Sequence, residues 1–304
     1  MLAPHQFPIL QQIKEPFLLE KGIKLYLKRE DLIHPTVSGN KWRKLKYNLL
    51  EAQKRGHSTI LTFGGAYSNH IYATAAAANA SGMASIGIIR GEETLPLNDT
   101  LQFAIENGMK LHYLSRDLYR QKEQQYVIDK LKEQYGDFYL IPEGGSNHLA
   151  VKGCAEIAND IDIPYDVICS AVGTGGTLAG LIASHSSDIQ VIGFSALKGE
   201  GFLEKDITKL LSYKQAQAPW EINYDYHFGG YAKIKPELIS FINDFYAQHQ
   251  IVLDPIYTGK MMFGLYDMVK KGAIIKGASI VALHTGGLQG IDGIVKRYGV
   301  MLPK

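Results

Sequence analysis

Cysteine is nearly absent from this chain, with two residues, Cys154 and Cys169, among 304. Both sit in apolar sequence, so they read as buried thiols of a reduced compartment rather than a disulfide framework. Long hydrophobic runs are missing as well, and no segment is apolar for long enough to cross a bilayer. The N-terminal "MLAPHQFPILQQIKEPFLLE" has no basic region leading into an apolar run, so a secretory signal is not expected. Neither sign of charge dominates: 32 Lys and Arg face 30 Asp and Glu, a net charge of +2. The cations are scattered, which argues against a nucleic-acid surface. The histidines lack Cys or carboxylate companions at ligand spacing, so no metal is expected. These absences leave a cytoplasmic globular protein with neither nucleic acid nor membrane as partner.

What is present fits that class. Hydrophobic residues make up 46% and charged residues 20% of the chain, and its length suits two domains or one large one. Short apolar runs alternate with helix-like stretches. "STILTFGG" precedes "NHIYATAAAANASG", and "ASIGIIRG" precedes "NDTLQFAIENG". "KLHYLS" leads into "RDLYRQKEQQYVIDKLKEQYG", which reads as one long polar helix with Leu118, Tyr126 and Leu131 on its apolar side. "YDVICSAVGTGGTLAGLIASH" and "DIQVIGFSA" repeat the theme. Such alternation predicts an α/β fold with a parallel sheet and helices on both faces. Ligands of these sheets bind outside the carboxyl ends of the strands, where the Gly-rich turns fall. The stretch from "LKGEGFLEKDITK" to "YDYHFGGY" breaks the alternation and reads as an irregular aromatic excursion.

The strand Val167 to Val172 runs into Gly173-Thr174-Gly175-Gly176-Thr177, and a small-residue helix follows at once. Glycines at a helix start let backbone N–H groups approach an anion closely. The spacing is not that of a dinucleotide fingerprint, and the loop lacks the lysine of a P-loop. It therefore predicts a phosphate held by neutral donors, with a tight turn as the plain alternative. In "GGAYSNH" and "GGSNH", Ser68, Asn69 and the residues around them read first as turns and N-caps.

"HPTVSGNKWRKLKYNLLEA" is less ordinary. Trp42, Leu45 and Leu49 recur at helical spacing, predicting a helix from about Lys41 to Ala52, with Ser38 or Asn40 placed to cap it. Lys41, Arg43, Lys44 and Lys46 then crowd the end that carries partial positive charge. Taken alone, this is a solvated basic face. The other reading is that the helix start needs a particular amine.

Together, "SGNKWRK", "GGAYSNH", "GTGGT", "YTGK" and "HTGG" resemble the pyridoxal-phosphate enzymes of the tryptophan-synthase-β fold type. More narrowly they resemble the 1-aminocyclopropane-1-carboxylate deaminases and D-cysteine desulfhydrases, from "LYLKREDL" to "LHTGGLQG". The resemblance implies two domains, each an open, mostly parallel twisted sheet with helices on both faces. A small domain (45–142) would be inserted in a large one (1–44 and 143–304). It implies pyridoxal 5'-phosphate as cofactor, a small amino acid as substrate, and a homodimer. Lys41 would bind the cofactor's aldehyde, Asn69 its phenolic oxygen, and Gly173, Thr174, Gly175, Gly176 and Thr177 its phosphate. Ser68 would lie beside the substrate carboxylate or the reacting carbon, Thr285 near the pyridine nitrogen, and Tyr231 and Tyr257 at the substrate.

A lysine that attacks an aldehyde must first lose its proton, and a helix N-terminus with Arg43 and Lys44 nearby favours that loss. The same amine can then remove a proton from the substrate's α-carbon. The related cyclopropane deaminases carry glutamate after the second tyrosine, whereas this chain reads "YTGK", with Thr258. A neutral hydroxyl, Thr258 or Thr285, supports a charged pyridinium poorly. A weak electron sink suits departure of a good leaving group from the β-carbon better than opening of an unactivated ring. D-Cysteine desulfhydrase-type β-elimination to pyruvate, ammonia and sulfide is the expectation. The alternatives are a cyclopropane deaminase giving 2-oxobutyrate, a serine/threonine dehydratase, or a non-catalytic phosphate-binding α/β protein.

Overall fold

The structure, a computed structural model, describes residues 2–212 and 218–304. Two sheets are formed. The larger contains β1 (Leu10–Ile13), β2 (Lys24–Lys28), β7 (Val167–Val172), β8 (Gln190–Ser195), β9 (Trp220–Asn223) and β10 (Ser279–Leu283), in the order β1-β2-β10-β7-β8-β9. The smaller contains β3 (Thr59–Gly64), β4 (Ala84–Arg90), β5 (Met109–Leu114) and β6 (Tyr139–Ile141), ordered β5-β4-β3-β6. Among the described residues, only β1 runs antiparallel to its neighbour, and every other pairing is parallel.

Unbroken apolar strands such as "TILTFG" and "VICSAV" suit sheets covered on both faces. Along β10, Ile280 and Ala282 join a cluster with Leu25, Leu27, Phe194 and Met261. Val281 and Leu283 join another with Ile168, Leu181 and Ile182. Alternate residues of one strand thus feed two cores, as the period of two requires. The central strands β3, β7 and β10 end at Gly64, Val172 and Leu283, each followed by a glycine turn that reaches the cleft.

Two expectations change. The polar stretch after β5 is two helices, Arg116–Arg120 and Gln125–Tyr135, separated by a turn at 121–124. That break resets the helical phase, so Val127 and Leu131 are buried while Tyr126 faces solvent. The aromatic excursion holds a helix, Phe202–Leu211, and the edge strand β9, so it extends the sheet before turning irregular. Its residues 213–217 lie outside the described residues.

Candidate active site

The helix that begins "NKWRKLK" spans Asn40–Lys54, and Trp42, Leu45 and Leu49 anchor it in a core. Neither Ser38 nor Asn40 caps it. Gly39 stands at the cap position with φ 63°, where a Cβ would fall 1.8 Å from the Thr285 carbonyl oxygen. Only glycine lets the "SGN" turn press against the "HTGG" turn. The flanking side chains are used elsewhere. Ser38 Oγ donates to the Asp31 carbonyl (3.0 Å), and Asn40 Nδ2 donates to Thr177 Oγ1 (2.8 Å). Three of the distant motifs are thereby fastened at one point.

Lys41 Nζ lies 3.4 Å from the Gly144 carbonyl, and Lys44 Nζ lies 3.2 Å from the same oxygen and 3.1 Å from Ser146 Oγ. Burial, and next the Lys44 cation, push Lys41 well below the ordinary lysine range. Arg43 does not share this work, contrary to the expectation. It is buried and paired with buried Glu30 through two hydrogen bonds of 2.9 and 3.0 Å. Nor are Arg43 and Lys44 a solvated face. Both side chains are inside the protein.

Val172 ends β7, and Gly173, Thr174, Gly175 and Thr177 line the cleft beyond it. The helix Gly176–Ser184 starts from Gly175 at φ 75°, with no side-chain cap, so its first N–H groups remain for a ligand. Gly176 does not line the cleft. A Cβ there would meet Ser146 Oγ at 2.6 Å and Lys44 Nζ at 3.1 Å. The expected lysine-free phosphate cradle is therefore corrected: Lys44 brings an amine from another helix. One turn beyond Lys41 in the sequence, it was legible as a lysine but not as a neighbour of residue 176.

Ser68 caps the helix Asn69–Ala80, its Oγ accepting from His70 N (3.2 Å) and Ile71 N (3.3 Å), which leaves the hydroxyl proton free. Asn69 Oδ1 accepts from Gln289 Nε2 (2.7 Å), so the Asn69 amide nitrogen is left as the available donor. Gln289, in "HTGGLQG", was not singled out by sequence. His70 is buried and bonded to Thr62 Oγ1 at 2.8 Å, and that hydroxyl donates to the Ile141 carbonyl. The imidazole proton is thus fixed on Nε2, and burial with Lys41 and Lys44 nearby keeps the ring neutral.

Of the two hydroxyls considered for a ring nitrogen, Thr285 lines the cleft. Thr258 does not. It is fully buried, and its hydroxyl donates to Asp254 Oδ2 at 2.5 Å. Asp254 also accepts the N–H groups of Ile256, Tyr257 and Thr258, which settles the start of the helix Thr258–Lys271. That start holds Tyr257 against Tyr231, ring centroids 6.2 Å apart and edge to face. Burial, and then Tyr231 beside it, drive the Tyr257 hydroxyl well above its ordinary range, so the phenol keeps its proton.

Lys41, Ser68, Asn69, Tyr231, Tyr257 and Thr285 all line one cavity of about 350 Å³, which Arg90 and Glu143 also line. It offers an amine poised to lose its proton, an N–H cradle with a cation for a phosphate, and a neutral hydroxyl. A phosphorylated aldehyde suits that donor set.

A family model described as "Pyridoxal-phosphate dependent enzyme" matches residues 11–286. A Pyrococcus horikoshii protein, provisionally named 1-aminocyclopropane-1-carboxylate deaminase, is 34% identical over 95% of this chain and 91% of its own length. The mitochondrial bifunctional D-cysteine desulfhydrase/1-aminocyclopropane-1-carboxylate deaminase of Arabidopsis thaliana is 30% identical over 90% of this chain and 74% of its own. The solved structure of an ACC deaminase homologue superposes with a TM-score of 0.82 at 30% identity, covering 96% of this chain and 94% of that one. The loop Gly173–Gly175 with Thr177, and Lys41 lining the same cavity, fit the phosphate and aldehyde of pyridoxal phosphate. By sequence and by fold, the chain belongs to the pyridoxal-phosphate dependent enzymes, within the group of 1-aminocyclopropane-1-carboxylate deaminases and D-cysteine desulfhydrases.

Proposed function

We propose that this enzyme catalyses β-elimination from D-cysteine or a close relative, giving pyruvate, ammonia and sulfide. One observation carries the choice: Thr285 lines the cleft, whereas Thr258 and Asp254 are spent on each other. Pyridoxal phosphate, when bound, supplies an aldehyde for the substrate amine and a ring that delocalises the electron pair left on the α-carbon. With a neutral partner at its nitrogen, that ring serves best where a thiolate leaves readily.

The chain's own residues supply the rest. Lys41, whose amine burial and the Lys44 cation hold well below the ordinary lysine range, would bind the cofactor's aldehyde and would take the α-proton on Nζ. Gly173–Thr177 and Lys44 would hold the phosphate. The Asn69 amide nitrogen, oriented by Gln289, would donate to the phenolic oxygen. Ser68 Oγ, with a free proton, donates to the substrate carboxylate, and Tyr257 or Tyr231 protonates the departing sulfur.

Ring opening of 1-aminocyclopropane-1-carboxylate is the second reading, favoured by the edge-to-face tyrosine pair, which brings two phenols to one cleft. Pyruvate and 2-oxobutyrate distinguish the two. Purified enzyme is assayed with D- and L-cysteine, D- and L-serine and the cyclopropane amino acid. Pyruvate and sulfide from D-cysteine are expected; 2-oxobutyrate as the main product would overturn the choice.

The same reading extends to organisation. The boundaries 1–44, 45–142 and 143–304 are supported by the sheets, since β3 to β6 all fall within 45–142 and the other strands outside it. A homodimer in the cytoplasm follows from the group resemblance and the reduced cysteines. Among the described residues, no helix is long and apolar enough to cross a membrane.

A further inference from the structure

The lysine of "YTGK" has no part in the chemistry above, yet it is one of the most deeply buried cations of the chain. Lys260 is 1% exposed, and its Nζ donates to the His227 carbonyl and to the Gly230 carbonyl, both at 2.8 Å. Those carbonyls belong to the turn that delivers Tyr231. The turn needs holding. Phe228 and Ala232 sit at φ 54° and 52°, and Gly229 and Gly230 at 100° and 112°, conformations that side-chain-bearing residues rarely adopt.

The helix Thr258–Lys271 grips this turn with one stripe. Phe263 stacks edge-on against Phe228 at 5.0 Å, Gly264 leaves room for the Tyr226 ring, and Asp267 accepts from the Tyr226 hydroxyl at 2.7 Å. Residues 260, 263, 264 and 267 are the spacing of a single helix face. The first turn of the same helix carries Tyr257. One rigid element therefore sets both tyrosines, Tyr257 directly and Tyr231 through the turn.

We propose that Lys260 is the positioning residue for Tyr231: its ammonium clamps two carbonyls of the strained 227–232 turn and so fixes the Tyr231 phenol against Tyr257 in the cleft. Only a group with several protons at the end of a long, thin stem satisfies two carbonyls in that space. Burial pulls the Lys260 ammonium down to about 8, and Asp254 is the carboxylate that opposes the pull. The inference rests on the reading that Tyr231 serves the substrate.

The test compares Lys260→Met, Tyr231→Phe and the double variant by steady-state kinetics. Hydrogen exchange of amides 227–233 is followed with and without cofactor. Lys260→Met should speed exchange in that segment at least tenfold even in cofactor-free protein. It should also lower kcat at least tenfold with cofactor affinity within twofold of the parent. Adding Tyr231→Phe to it should cost nothing more than the worse single change. Should Lys260→Met not fold, Lys260→Gln, which keeps one donor arm, takes its place, with a smaller shift in the same direction. Unchanged exchange and kcat, or fully additive losses, overturn the clamp. If Tyr231→Phe keeps parental kcat on every substrate while the exchange still quickens, the clamp holds the turn but serves no catalysis. The role of Tyr231 itself then falls.

Discussion

Lys41 and Lys44, one helical turn apart, direct their amines at a single acceptor, the Gly144 carbonyl, at 3.4 and 3.2 Å. Burial disfavours the charged form of both amines, and at Lys41 the Lys44 cation adds to it. We propose two jobs for Lys44, a cation for the phosphate cradle and a charge that keeps Lys41 reactive.

Replacing Lys44 by Met should weaken cofactor binding roughly 10-fold to 100-fold, from the ~1.5–3 kcal/mol carried by a hydrogen bond to a charged group. It should also move the Lys41 titration upward, since a positive neighbour is gone. Equilibrium titration with pyridoxal phosphate reads the first effect. The pH dependence of amine modification at Lys41 in the cofactor-free protein reads the second.

The depressed Lys41 amine has a consequence for stability, with a definite sign. Its pKa in the fold lies below the ordinary 10.5, so the folded state binds its proton less readily than the unfolded chain. The cost is fully present below the folded pKa and is relieved as pH rises toward 10.5. Cofactor-free Lys41→Met should therefore melt higher than the parent at neutral pH, and the gap should close as pH approaches that value. Melting curves of both proteins across the range check it. A gap that is constant with pH would refute the assignment. Lys41→Met should also abolish the attachment of cofactor by borohydride.

Arg43 and Glu30 form a buried pair, and a buried charge left alone is expensive. Arg43→Met, which strips buried Glu30 of its hydrogen-bonding partner, should cost about 3–5 kcal/mol of unfolding free energy, whereas the Arg43 left by Glu30→Ala still has Asp160. The double variant Glu30→Ala with Arg43→Met should recover a large part of that loss, because no orphaned charge remains. Urea denaturation of the two variants decides it.

Gln289 turns Asn69 so that its amide nitrogen is the free donor. Gln289→Leu should shift the absorbance maximum of the bound cofactor and weaken its binding by about fivefold, from ~1 kcal/mol for a neutral hydrogen bond. An unchanged spectrum would mean that Asn69 is oriented without it.

Much of this protein is legible in the residues in order. Apolar runs of strand length separated by helical stretches fix parallel sheets covered on both faces, because a strand buried on both sides has no polar positions to spare. Glycines at strand ends mark where backbone must come close to something, and the odd lysine behind "SGN" marks the chemistry. What the order of residues does not carry is proximity across the chain. Gly39 reads as a turn residue until Thr285, 246 positions on, is found where its Cβ would be. Arg43 and Lys44 share a helix and a charge, yet one meets Glu30 and the other the phosphate loop, and that separates a structural cation from a functional one. Thr258 and Thr285 are chemically alike, and only packing decides that Asp254 takes the first and the cleft receives the second. Sequence sets which groups exist and how each segment folds locally. Burial and contact between distant segments determine which of those groups are free to react.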